Sequence, residues 1–202
     1  MLRYGLTGGI ASGKSTVAAM LREHGFPVVE ADRISHQLIE PGGAAYDAVI
    51  ARFGRDILDG DRRISHSRLA AIVFHDRERL RQLNDILHPL VEREILRRFA
   101  EFESEGTHSV AFMEAALIFE AGFDRKLDGV IVAWCPPDQQ LGRLMDRGMS
   151  EAEGRARMAA QMPAERKLAQ ATEKIDCSGP LDETRRQVDR LAARLQLASP
   201  RE

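Results

Sequence analysis

The 202-residue chain is 44% hydrophobic and 30% charged, with a formal net charge of −2, which is the make-up of a globular protein long enough to bury its own core. No basic excess argues for a nucleic-acid surface, and no apolar run reaches the ~20 residues of a membrane-crossing helix. The expected location is the cytoplasm. Cys135 and Cys177 form no metal or redox spacing and are expected to be reduced thiols. The run from Met1 to Leu6 enters structured sequence without a signal-peptide pattern.

Leu2 to Leu6 reads as a strand ending at a glycine-rich turn. From Ser15 to His24, Val17, Met20 and Leu21 share one side of a helix that Gly25 closes. Pro27 to Glu30 reads as a second strand. A long helical stretch follows, broken at Pro41-Gly42-Gly43 and between Gly54 and Asp61. No strand is legible from Ser65 to Glu105, where Val73, Leu80, Leu83, Leu87, Val91, Ile95 and Phe99 recur at helical intervals. Pro89 is expected to kink this stretch or to mark a boundary. Ser109 to Met113 and Gly129 to Trp134 read as the third and fourth strands, the latter apolar enough to lie buried. Lys174 to Asp176 reads as a short fifth. The last helix spans Leu181 to Leu197 and frays at Ala198-Ser199-Pro200.

This alternation predicts an α/β fold with a parallel five-stranded sheet flanked by helices. Two stretches interrupt it: a helical block of about residues 35–107 and a charged stretch from Arg143 to Thr172. Insertions of this kind often carry substrate specificity or act as lids.

Gly8-Gly9-Ile10-Ala11-Ser12-Gly13-Lys14-Ser15 fits G-x-x-x-x-G-K-[ST] in full, after a predicted strand and before a predicted helix. Gly8, Gly9 and Gly13 let the backbone turn its N–H groups toward phosphate oxygens, and the helix adds its positive end. Lys14 brings a point charge to the β- and γ-phosphates, and Ser15 brings a hydroxyl ligand for Mg²⁺. The motif predicts a P-loop NTPase fold that binds ATP and Mg²⁺; a kinase that passes the γ-phosphoryl group to a hydroxyl is the leading expectation, but the motif by itself accounts only for the nucleotide.

The acceptor side must be argued from other residues. Asp32 lies just past the carboxyl end of the second strand, where ligands gather in open α/β sheets. It could take the proton of an attacking hydroxyl, or it could simply cap the next helix. Glu30 is the other acid at that strand end. Glu114, at the end of the third strand, could hold a water on Mg²⁺ or be a solvated acid. Arg143 and Arg147, four residues apart on one helix face, could meet the transferring phosphoryl group. The alternative is a helix laced with ion pairs to Asp146, Glu151 and Glu153, which suits Arg155 and Arg157 better; Lys167 is a further cation of this stretch. His88 precedes Pro89 inside the helical block, where a lone histidine is more often structural than chemical.

Several segments resemble the dephospho-CoA kinases: Leu6 to Thr16, Glu30-Ala31-Asp32, Val73-Phe74, Leu87-His88-Pro89-Leu90-Val91, Leu117-Ile118-Phe119-Glu120, and Ala159-Ala160-Gln161-Met162-Pro163 with Lys167. The resemblance runs from the first strand to at least Gly179. It implies ATP-dependent phosphorylation of the ribose 3′-hydroxyl of dephospho-CoA, the last step of CoA synthesis. It implies a nucleotide-binding core at 1–34, 108–141 and 173–202, a helical CoA-binding domain at 35–107 and a lid at 142–172. It also implies Asp32 as the base, Ala11 to Thr16 as the ATP loop (Ala11, Ser12, Gly13, Lys14, Ser15, Thr16), and His88, Leu117 and Phe119 on the acceptor side. The chain departs from the family pattern at Glu30, where Asp is usual, and at Ala116, where Pro is common. It departs again at Thr172 and at Cys177, where Asn is usual, in a segment expected near the adenine.

On the residues alone, another small-molecule P-loop kinase, for nucleosides or nucleoside monophosphates, stays open. So does an acceptor-independent NTPase module, although no guanine-recognition N-K-x-D is present, and so does a P-loop fold that has lost activity. A monomer is the expected state.

Overall fold

A computed structural model describes residues 1–73 and 76–197. Phe74, from the Val73-Phe74 resemblance, and the expected fraying at Ala198-Ser199-Pro200 lie outside the described residues. The chain divides into two units, Met1–Val29 with Phe99–Glu202, and Glu30–Arg98.

The first unit is built on a five-stranded sheet with the order β2-β3-β1-β4-β5. The strands are β1 (Leu2–Thr7), β2 (Val28–Glu30), β3 (Val110–Glu114), β4 (Gly129–Trp134) and β5 (Glu173–Asp176). β1 pairs parallel with both β3 and β4, and β4 pairs parallel with β5. All of β3 and nearly all of β4 are buried, because parallel crossovers put helices on both faces and leave no solvated side. The helices of this unit are α1 (Lys14–Glu23), α6 (Pro137–Asp146), α7 (Glu151–Ala159), α8 (Ala164–Gln170) and α9 (Leu181–Leu197). Val17 and Leu21 of α1 and Val188 and Leu191 of α9 pack with Leu6, Phe112 and Ile131 of the sheet in one apolar core. Each such buried side chain stabilises by about 1.5–3 kcal/mol relative to exposure. The order sets β1 in the middle, so the turn that follows Thr7 emerges with strands on both sides.

The second unit holds α2 (Ala31–Leu38), α3 (Tyr46–Phe53), α4 (His66–Val73) and most of α5 (Arg77–Glu105). Its core gathers Ile39, Val49, Ile57, Ile64, Leu69 and Leu83. The glycine-rich breaks read from the sequence are real: α2 ends before Gly42, and Gly54 ends α3 at φ 88°. Of the two alternatives expected for Pro89, the boundary is corrected: the residue lies inside α5, which continues past it to Glu105. Proline removes one N–H and so frees the carbonyl of Asp85. Asp85, His88 and Pro89 are all exposed, so water can serve that carbonyl. Meanwhile Leu83, Ile86, Leu87 and Leu90 pack on the unit's core and hold the helix on course.

Glu94 on α5 accepts from Arg97 and Arg98 at 2.8 and 2.9 Å. The hydrogen bond from Arg97, opposed by partial burial and reinforced by Arg98, holds its carboxyl down to about 2 from the usual 4.5. A lowered folded-state value means stability present above pH 4.5 and lost as pH falls toward 2. Because both arginines are substantially exposed, Glu94→Gln should cost only about 1 kcal/mol at neutral pH. Urea melts of the variant should converge on wild type near pH 2; a constant difference down to that pH would contradict the assignment.

Candidate active site

The chain leaves β1 at Gly8, where only glycine fits: a Cβ there would lie 2.3 Å from the Ala133 carbonyl oxygen and 2.5 Å from Ser12 Oγ. The turn then passes through left-handed backbone at Ala11 (φ 57°) and Gly13 (φ 102°). Such alternation points successive N–H groups into one concavity, the geometry of an anion-binding nest. Gly13 is the N-cap of α1 and gives no side-chain bond to the first-turn amides, so these remain for a ligand at the positive end of the helix dipole. Ser12 Oγ is buried in the same turn without a partner. Burying a hydroxyl unpaired costs about 1–3 kcal/mol, which a polar ligand in the cradle would offset.

Beneath this turn two side chains of α1 converge on one carboxylate. Lys14 Nζ lies 2.6 Å from Glu114 Oε1, and Ser15 Oγ donates to the same oxygen at 3.0 Å. The Glu114 side chain is 8% exposed. A partly buried ammonium, a hydroxyl and a buried carboxylate thus share one spot. The hydroxyl–carboxylate pair is a donor set for a hard cation, and Mg²⁺ typically takes one or two protein oxygens and the rest from phosphates and water. Of the two sequence readings of Glu114, the solvated acid is therefore set aside.

Beside the turn lies a cavity of about 240 Å³, lined by Ala11, Gly13 and Thr16, by Arg143 and Arg147 from α6, and by Cys177 just beyond β5. Arg143 does not extend into open space. It donates to the Ala11 carbonyl at 3.1 Å and to the Cys177 carbonyl at 2.7 Å, with Cys135 Sγ 3.4 Å away. Its planar fork thereby pins Ala11 in its left-handed conformation. Arg147, the C-cap of α6, is exposed at the cavity's edge. Cys177 packs so tightly that a Cβ on Gly13 would sit 2.9 Å from its sulfur. Burial pushes the Cys177 thiol up to about 11 and raises Cys135 as well. Of the two departures in this segment, only Cys177 lies at the cavity. Thr172 instead extends the sheet, exchanging backbone and side-chain bonds with Val130 near the amino end of β4.

Two other cations of the charged stretch, Arg155 and Lys167, are paired. Arg155 bonds Glu151 at 2.7 Å on the exposed face of α7, as the bland reading expected. Lys167 is fully buried, 2.9 Å from Glu120. The loop after β3 splits the two apolar residues predicted for the acceptor: Leu117 is 37% exposed, whereas Phe119 is only 9% exposed. Three residues that bear on the turn have no role assigned from sequence: Gln140 is not singled out there, and Gln161 and Glu120 stand only as members of resembling segments. Gln140 sits where its amide would be 2.9 Å from a Cβ on Gly9. Gln161 accepts the Ile10 N–H at 2.8 Å, and Glu120 accepts the Met162 N–H at 2.9 Å.

In the second unit, Asp32 is exposed in the first turn of α2. The cap of that helix is Glu30, which makes no side-chain capping bond, so Asp32 is not the cap. His88 is exposed as a residue, yet neighbouring atoms shield its ring and lower its pKa below the ordinary imidazole value against an opposing pull from Asp85. The shielding of the ring, not the overall exposure, sets that direction.

A family model described as dephospho-CoA kinase matches residues 2–183. The dephospho-CoA kinase of Carboxydothermus hydrogenoformans is 45% identical over 185 residues, 91% of this chain and 89% of the relative. The solved structure of TT1252 from Thermus thermophilus aligns with a TM-score of 0.82 and 32% identity over 98% of both chains. A dephospho-CoA kinase from Campylobacter jejuni aligns with a TM-score of 0.70 and 26% identity over 96% of both chains.

Proposed function

The chain belongs to the dephospho-CoA kinase family, and from that premise we propose how its own residues divide the reaction. The enzyme uses ATP to phosphorylate the ribose 3′-hydroxyl of dephospho-CoA, which completes CoA. The bond from the 3′-oxygen to the γ-phosphorus forms, the bond from that phosphorus to the β–γ bridging oxygen breaks, and ADP leaves.

The turn from Gly8 to Thr16 holds the triphosphate through its backbone N–H groups. Lys14 leaves or shares Glu114 to meet the β- and γ-oxygens, where negative charge is spread in the transition state. Ser15, backed by Glu114, holds Mg²⁺. When bound, Mg²⁺ neutralises charge on the β- and γ-phosphates. Arg143 braces Ala11 so that the loop keeps its concave form, and Arg147 faces the nucleotide side of the cavity. Asp32 takes the proton of the 3′-hydroxyl. Support for that role is its place two residues beyond the carboxyl end of β2, in a sheet whose central strand delivers the P-loop from the same kind of end. Residues 35–107, with His88, receive the CoA portion of the acceptor, joined by Leu117 and Phe119 of the loop after β3, and 142–172 form the lid. No helix among the described residues is long and apolar enough to cross a membrane. We place a monomeric enzyme in the cytoplasm with no nucleic-acid partner.

The observation that carries the site reading is the convergence of Lys14 and Ser15 on one buried oxygen of Glu114 beneath the cradle. The test of the acceptor compares dephospho-CoA with AMP, GMP and adenosine under saturating MgATP, with the product's phosphate located by phosphorus NMR. Dephospho-CoA should lead in kcat/KM by about 10²-fold or more. Faster turnover of AMP or adenosine would show that the acceptor has been misassigned.

A further inference from the structure

The region where α7 gives way to α8 is fastened to the P-loop by a polar network away from the phosphate cradle. Lys167 on α8 has no exposed surface. Its ammonium donates to the Ala116 carbonyl at 2.6 Å and lies 2.9 Å from Glu120 Oε1. The same Glu120 oxygen accepts the backbone N–H of Met162 at 2.9 Å. The Ala116 carbonyl also accepts the hydroxyl of Thr7, the last residue of β1, at 3.1 Å. Next to Met162, Gln161 turns its side-chain oxygen onto the N–H of Ile10, inside the P-loop, at 2.8 Å. A fully buried ammonium that already serves a carboxylate and a carbonyl is not available to a phosphate. Of the pair it is the buried ammonium, not the more exposed Glu120, that would be costly to leave without its partner.

We infer that Gln161 is a positioning residue for the ATP loop, and that the Lys167–Glu120 pair is what holds Gln161 in place. The inference rests on the assignment of this loop to the triphosphate made above. Gln161 fixes the peptide between Gly9 and Ile10, one residue before Ala11 enters its left-handed conformation. With that peptide fixed, the remaining N–H groups of the turn already face the cradle before ATP arrives. Preorganisation of this kind lowers the cost of ordering the loop on binding. Arg143 braces the same turn through the Ala11 carbonyl, so the loop is gripped on both flanks. The segment Ala159 to Pro163 with Lys167 is already distinctive in the sequence, but nothing there ties Gln161 to Ile10.

The test pairs Gln161→Leu, which removes the acceptor at similar bulk, with Gln161→Glu, which keeps an acceptor oxygen. The KM for ATP should rise roughly 5- to 10-fold in the leucine variant, the loss of about one hydrogen bond. The KM for dephospho-CoA and kcat should stay within about twofold in the leucine variant; the glutamate variant, whose added charge opposes the triphosphate, should restore protection of the Ile10 amide rather than ATP affinity. Amide hydrogen exchange gives an independent reading on the unmodified enzyme without nucleotide. The Ile10 amide should be protected, and it should exchange faster in Gln161→Leu and in Lys167→Met. Three results overturn the inference: an Ile10 amide that exchanges freely in the wild type, a leucine variant with native KM for ATP, or equal rises in the KM values for ATP and dephospho-CoA in that variant. Should Lys167→Met fail to fold, the Gln161 pair and the wild-type exchange still decide the matter. Failure of the underlying phosphate assignment would look different, because ATP binding would survive Lys14→Ala while Ile10 stayed protected.

Discussion

Lys14→Ala should lower kcat/KM for ATP by roughly 10³-fold or more, with losses in both binding and rate. The lysine has two jobs in the geometry. It is the only side-chain cation among the described residues seen to meet Glu114, at 2.6 Å, and it is the charge proposed for the β- and γ-phosphates. Its removal takes away that charge and leaves a carboxylate that is 8% exposed with the Ser15 hydroxyl as its remaining partner. An orphaned buried charge typically destabilises by about 3–5 kcal/mol; the retained hydroxyl bond puts this case toward the lower end. The bare carboxylate would also repel the triphosphate. The double variant Lys14→Ala with Glu114→Gln separates these effects. It should regain stability and part of the ATP affinity in calorimetry but none of the rate. A single variant that turns over normally at low ATP would remove Lys14 from the phosphate role.

Asp32→Asn should slow phosphoryl transfer by roughly 10²-fold or more and leave ATP affinity nearly intact. Asparagine keeps the shape and loses the ability to take a proton. Because Glu30, not Asp32, caps α2, the change should leave stability within about 0.5 kcal/mol, as for an ordinary surface position. Single-turnover assays at saturating substrates isolate the chemical step. A near-native rate there would mean that another group, or water, receives the proton.

The parts of the fold carried by local pattern were legible. The β4 run from Gly129 to Trp134 and the α9 run from Leu181 to Leu197 emerge with the bounds expected, since an unbroken apolar stretch and a long amphipathic period leave few alternatives. The G-x-x-x-x-G-K-S turn was equally plain, because its chemistry lies in contiguous residues. Of the two alternatives for Pro89 only the boundary failed, because whether a proline ends a helix depends on what receives the freed carbonyl, which only the packed helix reveals. The contacts that complete the site were the least legible. Glu114 is separated from Lys14 by 100 residues, and Gln161 from Ile10 by 151. Sequence offered Glu114 as a strand-end acid for Mg²⁺ or for solvent, and Arg143 with Arg147 as a helical pair for the transferring phosphoryl group, but not the atoms each one touches. That Arg143 grips carbonyls on two different loops is decided by the tertiary fold.

The two outermost strands of the sheet, β2 and β5, are also its shortest, at three and four residues. β5 carries Glu173, Lys174 and Asp176 in its four positions. A rim that brief and that charged offers a poor template for backbone pairing with another chain. Concentrated solutions of the folded enzyme should accordingly resist fibril growth through these rims, so aggregation on heating would have to begin from unfolded chains.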